Sequence, residues 1–151
     1  MHGENQVIQQ RGVDSSSTLS PWEKAQLVHK LAGSQNCLVV MTGTTDFISD
    51  GKRTFSVSNG HEYLGMVTGT GCVLGTTISA YVAARPDRRL EAAIAGMLHF
   101  EIASERAAVR PDVKGPGTFV PAFLDELYHI RQETAKNKTA WLDKAKLSRV
   151  L

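Results

Sequence analysis

Cysteine is nearly absent from this chain. Cys37 and Cys72 are the only two, and their spacing matches neither a disulfide framework nor a zinc ligand set. Five histidines are scattered without ligand spacing, so no resident metal site is expected. Two unpaired thiols point to a reducing compartment, and Cys37, in an apolar stretch read as a strand, is expected to be inert. An excess of one charge is missing as well. Seventeen basic and fifteen acidic residues leave a net charge of +2, which gives no electrostatic footprint for nucleic acid or a membrane surface. Long hydrophobic runs are absent: nothing approaches the roughly 20 residues of a membrane span. The start, Met1-His2-Gly3-Glu4-Asn5, lacks a signal-peptide core. The expected address is cytoplasmic. No repeat or linker marks a second domain. A length of 151 residues with 42% hydrophobic content suits one domain with a real core.

Two phosphate-binding signatures are missing too. A Walker loop ends in Gly-Lys-Ser/Thr, whereas the glycine turn here ends Gly71-Cys72-Val73. A dinucleotide fingerprint would need a hydrophobic strand directly before its glycines and an acid about twenty residues on. The Gly69, Gly71 and Gly75 pattern is instead preceded by the irregular Asn59-Gly60-His61-Glu62-Tyr63-Leu64-Gly65.

What remains is Thr68-Gly69-Thr70-Gly71-Cys72, followed by an almost uniformly apolar or small run to Ala84 that reads as a buried helix. A helix starting near Gly71 would aim its first free N–H groups at the turn, forming an anion site from Gly69, Thr70, Gly71 and Cys72. The same positive field would favour the Cys72 thiolate. The other reading of the turn is a tight bend with Cys72 as buried filler, and spacing alone leaves both open. His61, in a loop, or His99, on a helix near its apolar face, could pair with Cys72; for His99 a satisfied core histidine is the commoner role. Asp46 and Asp50 follow a strand end and could face a metal-nucleotide, although its turn accounts better for Asp50.

Coarse structure follows from local chemistry. Ser20, Pro21 and Glu23 form a capping box with proline at the first helical position. Trp22, Ala25, Val28, Leu31 and Ala32 make the helix's stripe, and Gly33 is its expected stop. Cys37–Met41 reads as a buried parallel strand, with ligands expected beyond its end at Thr42-Gly43. Phe47–Ser49 and Thr54–Val57 flank Asp50-Gly51 as a hairpin. Leu90, Ile94, Met97, Leu98 and Ile102 mark a helix with Glu91, Glu101, Glu105 and Arg106 on its other side. Thr118 is expected to cap a last helix through Phe123, Leu124, Leu127 and Tyr128, after Gly115-Pro116-Gly117. The basic stretch from Arg131 to Leu151 reads as a solvated terminal helix. Strands at the front and helices at the back suggest the C-terminal part of a larger α/β sheet.

In order, Gly12-Val13-Asp14-Ser15, Val40-Met41-Thr42-Gly43 with Asp46, Asn59-Gly60-His61, Thr68-Gly69-Thr70-Gly71-Cys72 and Gly115-Pro116-Gly117-Thr118-Phe119 closely resemble hydroxyethylthiazole kinase. The last segment also resembles the fungal bifunctional proteins that fuse this kinase to thiamine-phosphate synthase. The resemblance implies a ribokinase-like three-layer α/β/α fold with only its C-terminal half present. It assigns residues 1–131 to the kinase-like part and leaves 132–151 as a basic tail, read as helical. It implies ATP-dependent, magnesium-requiring phosphorylation of 4-methyl-5-(2-hydroxyethyl)thiazole on its primary hydroxyl. It implies Thr42 as an ATP contact, Gly69 as a contact to the thiazole alcohol and Cys72 where related kinases carry an aspartate base. It also implies homotrimers with sites between subunits. The chain departs from the family at Thr44, where members usually carry Glu. The family's first half, which carries thiazole-enclosing residues and an Asn/Glu motif near the metal, is not seen before Gly12. A non-catalytic remnant that binds a partner through its strand edge is the alternative expectation.

Overall fold

The computed structural model describes residues 19–151. The loop expected over the first residues and the Gly12-Val13-Asp14-Ser15 motif lie outside them. The chain begins with α1 (Pro21–Gln35), which opens as its sequence dictates. The Ser20 hydroxyl accepts the Glu23 N–H at 3.3 Å, while the Glu23 carboxylate accepts the Ser20 N–H at 2.7 Å. Two orphan donors of the first turn are thereby satisfied.

The helix does not stop at Gly33. It runs to Gln35 and ends on Asn36 in the left-handed conformation at φ 50°. A Cβ on Gly33 would make ordinary contact, 3.6 Å from the Gly51 carbonyl oxygen, so the close approach here depends on Gly51. A Cβ on Gly51, itself at φ +80°, would lie 2.5 Å from the Gly33 Cα and N, so helix and hairpin touch backbone to backbone. Ala25, Val28 and Ala32 are buried as expected, but Trp22 and Leu31 are exposed.

A four-stranded sheet follows in the order β1 (Val39–Met41), β2 (Asp46–Ser49), β3 (Thr54–Val57), β4 (Leu147–Arg149). The hairpin appears where Asp50-Gly51 predicts it. The Asp50 carboxylate accepts the N–H groups of Lys52 and Arg53 at 2.9 and 2.7 Å, so its turn does account for this aspartate. Two expectations are corrected. The run ending at Met41 is not a buried parallel strand: β1 pairs antiparallel with β2, in register Val40 with Ile48, and is only half-buried as the last strand of the described sheet. Strand structure begins at Val39, which leaves Cys37 exposed in the preceding loop rather than in a strand. The basic tail is not a helix beyond Ala135. A short 3₁₀ turn (Ala140–Lys144) buries Trp141, and the chain then returns as β4 antiparallel to β3.

The alternation of the strands divides the core into layers. Phe47, with Val39 and Met41, packs against Ala25 and Val28 of α1 on one face. Ile48 and Val57 point the other way, into a larger core made with α3 (Thr70–Ala84), α4 (Arg89–Ala108) and α5 (Pro116–Ala135). The arrangement is helix, sheet, helices, an α/β fold. α5 starts at Pro116 with Gly115 as its cap residue, so Thr118 does not cap it; the Thr118 hydroxyl instead accepts the Lys114 N–H at 2.7 Å.

α3 is not the buried helix its composition suggests. Leu74 is its one buried residue, and Val73 is exposed. Thr76, Thr77 and Ser79 turn their hydroxyls onto the carbonyls four residues back, which lets small polar residues cover an exposed face. Its inner side meets α4 so closely that a Cβ on Gly96 would lie 3.2 Å from the Tyr81 ring. α4 differs in the opposite sense: it is buried on nearly all sides, and Glu101, expected on its solvent side, is 2% exposed. No described helix is long and apolar enough to cross a membrane.

Candidate functional site

Two loops lie at the end of the sheet where β1 and β3 finish and β2 begins, and a third precedes α3. The first, Thr42–Thr45, connects β1 to β2, with Thr42, Gly43 and Thr44 exposed. It is held from inside by Asp46, whose Oδ1 accepts the Gly43 N–H at 2.7 Å. The second, Ser58–His61, leaves β3. Thr45 and Ser58 meet through their hydroxyls at 3.4 Å, which joins the first two loops. Asn59 is 8% exposed and fully used. Its Nδ2 donates to the Lys144 carbonyl at 2.9 Å and to Glu105, and its Oδ1 accepts the Lys146 N–H at 2.7 Å. Glu105 also accepts the Gly60 N–H at 3.2 Å and pairs with Lys146 Nζ at 2.9 Å. Gly60, at φ +108°, needs its missing Cβ for conformation rather than space.

The third loop leads out of the short α2 (Tyr63–Met66) to Gly69 and α3. The Thr70 hydroxyl donates to the Leu64 carbonyl at 2.7 Å and to Val67 at 3.1 Å, which ties the start of α3 to the α2 turn. Gly69 adopts φ +98°, a left-handed conformation that a side chain would strain, and no atom lies within 4 Å of where its Cβ would stand. The first helical bond runs from the Val73 N–H to the Gly69 carbonyl at 3.0 Å. The N–H groups of Thr70, Gly71 and Cys72 therefore precede the hydrogen-bonded ladder, at the positive end of a fifteen-residue helix. Cys72 is exposed rather than a buried filler. The sequence-derived set Gly69, Thr70, Gly71 and Cys72 thus shares one helix start, one residue earlier than expected. Thr42 stands separately, at the end of β1.

The two histidines considered as partners for Cys72 are engaged elsewhere. His99 is buried, with Nδ1 on the Tyr81 hydroxyl at 2.7 Å and Nε2 on the Leu127 carbonyl at 2.9 Å. Burial holds its pKa below the usual histidine value and pushes the Tyr81 hydroxyl above the usual tyrosine value. It is the satisfied core histidine. His61 Nδ1 accepts the Tyr63 N–H at 3.2 Å, and its ring packs edge-on to Tyr63 at 4.6 Å. Tyr63 in turn meets Phe119 of α5 at 5.4 Å. No group of three His, Cys, Asp or Glu among the described residues is arranged to hold a metal ion.

Sequence reasoning misses the acidic support beneath the first two loops. Glu101 and Glu105 are four apart on α4, so they share a face. Glu101 also falls four after Met97 and three after Leu98, on the apolar stripe itself, which is the signal available for it. Its carboxyl is pushed up to about 11, first by burial and then by the neighbouring Asp46 and Glu105 carboxylates.

Residues 1–133 match the Hydroxyethylthiazole kinase family. A probable thiamine biosynthetic bifunctional enzyme of Schizosaccharomyces pombe is 39% identical over 145 residues, covering 92% of this chain and 28% of that protein. A hydroxyethylthiazole kinase of Thermoanaerobacter sp. (strain X514) is 41% identical over 123 residues, covering 82% of this chain and 46% of that one. The solved structure of the hydroxyethylthiazole kinase protein from Pyrococcus horikoshii OT3 superposes with a TM-score of 0.74 at 37% identity, over 85% of this chain and 47% of that one. The chain therefore spans about half the length of the single-function relatives, and just over a quarter of the bifunctional one.

Proposed function

The chain belongs to the hydroxyethylthiazole kinase family, and from that membership we propose that it carries the phosphoryl-transfer end of a thiamine-pathway kinase. The reaction is ATP-dependent phosphorylation of the primary hydroxyl of 4-methyl-5-(2-hydroxyethyl)thiazole. The observation that carries this reading is the start of α3. An open left-handed glycine, three N–H groups ahead of the helical ladder and an exposed thiol stand together at Gly69–Cys72. Such donors, fixed before the reaction, suit the charge that develops on a transferring phosphoryl group.

ATP supplies the phosphoryl group. The open space and N–H donors at Gly69–Cys72 fit its phosphates, and Thr42 would contact the nucleotide. No group of three His, Cys, Asp or Glu among the described residues could hold a metal ion, so no residue of this chain is assigned to magnesium. Thr44 adds no carboxylate. Cys72 would accept or orient the proton of the substrate hydroxyl, and Gly69 would leave room for the alcohol arm beside it. Assembly as a homotrimer with sites between subunits, and a cytoplasmic location, belong to the same proposal.

The test is phosphate transfer to the thiazole alcohol, measured on the folded chain and on Cys72→Ala. Loss of a proton acceptor should lower turnover by about 10²- to 10⁴-fold, with ATP affinity unchanged. ATP binding lost together with turnover would refute the role given to the thiol. No transfer from a folded wild-type chain would favour the second reading, a non-catalytic, partner-binding fragment of such a kinase.

A further inference from the structure

Glu101 is the one described residue whose buried side-chain oxygens, Oε1 and Oε2, both lack a hydrogen-bond partner of ordinary geometry. It lies beneath two loops of the site. Its Cγ would be 3.8 Å from a Cβ on Gly60, and its carboxyl bears on that of Asp46, which is itself 7% exposed and holds the Gly43 N–H. The charges facing Glu101 are all of one sign: Asp46 from β2 and Glu105 from α4 itself. On the Gly60 side, a Cβ on Gly60 would meet the Glu101 Cγ and a Leu64 methyl carbon, at 3.8 and 3.9 Å. The nearby cation, Lys146, is spent on Glu105. Two buried carboxyls cannot both ionise at such proximity, so the pair must keep a proton. A protonated carboxyl is a hydrogen-bond donor, and Asp46 is the acceptor beside it.

We propose that Glu101 is a positioning residue for the Thr42–Gly43 loop: it shares a carboxyl proton with Asp46, fixes that carboxylate, and through it sets the direction of the Gly43 N–H. In functional terms this rests on the reading of Thr42 as the nucleotide contact. Glu101 touches no reacting atom. It acts by leaving Asp46 one orientation in which Oδ1 meets Gly43, and the exposed backbone of the loop is thereby set from the core. Glu105 does the same, one helical turn on, for the Asn59-Gly60 loop. One helix thus determines the posture of both loops.

The experiment is NMR on the full chain, read in two ways. With glutamate carboxyls labelled, one resonance should keep its protonated position at about pH 8, well above ordinary carboxylates. That resonance should vanish in Glu101→Gln and titrate lower in Asp46→Asn. Amide exchange then reads the loop. Gly43 should be as protected in Glu101→Gln as in the wild type, because the amide still donates. In Glu101→Leu it should exchange about tenfold faster, the loss expected for one hydrogen bond, while the Ile48 and Phe55 amides hold. Glutamate carboxyls that all titrate together in the ordinary range overturn the proposal. So does a Glu101→Leu chain in which Gly43 stays as protected as in the wild type. If Glu101→Leu fails to fold, the titrations of Glu101→Gln and Asp46→Asn decide alone. A wild-type chain that gives these results yet binds no ATP would support the positioning role and overturn the kinase reading.

Discussion

Replacing Glu101 by glutamine should make the protein more stable as the solution becomes more alkaline, relative to wild type. In the unfolded chain this carboxyl ionises near 4.5, whereas in the fold it is pushed up to about 11. A raised folded value means that the group's contribution to stability is fully present below about pH 4.5 and is lost progressively as pH rises toward the folded value. Each pH unit within that window costs about 1.4 kcal/mol. At pH 7.5, roughly three units into it, the accumulated loss is about 4 kcal/mol, a large share of a typical folding free energy. Glutamine fills the same space, can donate to Asp46 and has nothing to ionise. The difference in unfolding free energy between variant and wild type should therefore swing in favour of the variant by up to about 4 kcal/mol between pH 4.5 and 7.5. At about 2–4 °C per kcal/mol for a chain of this size, that is a relative rise in Tm of roughly 10 °C. Urea unfolding at several pH values measures the swing directly. Parallel stability curves for the two proteins across that range would refute the account of Glu101 as a buried, proton-retaining acid.

The remaining predictions concern backbone and binding. Gly51→Ala should destabilise the chain by at least about 2 kcal/mol in urea unfolding, since its Cβ would stand 2.5 Å from Gly33 at a positive φ. Ser20→Ala removes the capping box of α1 and should cost about 1 kcal/mol in the same assay. Gly69→Val should raise the KM for the thiazole alcohol more than that for ATP, by occupying space that is open beside the anion site. Equal effects on both substrates would count against the place given to the alcohol.

What could be read from the sequence was what local chemistry determines. Ser20, Pro21 and Glu23 announced the start of α1 because every partner in that cap lies within four residues. Asp50 and Gly51 announced the hairpin because one supplies acceptors for the turn's own N–H groups and the other its left-handed bend. The glycines before Cys72 marked the start of α3 for the same reason. The direction of β1 was not legible: an apolar run states that a strand is covered, not how its neighbour runs. The exposure of α3 was hidden because Val73, Gly75 and Thr76 look apolar or small whether or not anything covers them. Glu101 was missed through a rule that holds for most glutamates. A carboxylate on a core stripe is ordinarily too costly to bury, and the partner that makes it tolerable, Asp46, lies more than fifty residues earlier. The acidic support of the first two loops is a property of the packed molecule, visible once α4 is laid across the sheet.

The return of the chain to form β4 also sets a timetable. β3 is made early, with Phe55, Ser56 and Val57 waiting for Arg149, Ser148 and Leu147. During synthesis that side of β3 carries unpaired peptide groups until residues 147–149 have left the ribosome, and an uncovered strand edge invites other chains to pair with it. Such a long wait between partners also raises contact order and slows folding. Asn59 can meet Glu105 earlier, but its bonds to Lys144 and Lys146 wait for the same return. The hazardous interval for a nascent chain of this kind is therefore the time between the β2–β3 hairpin and the arrival of β4, the period in which a chaperone would find it.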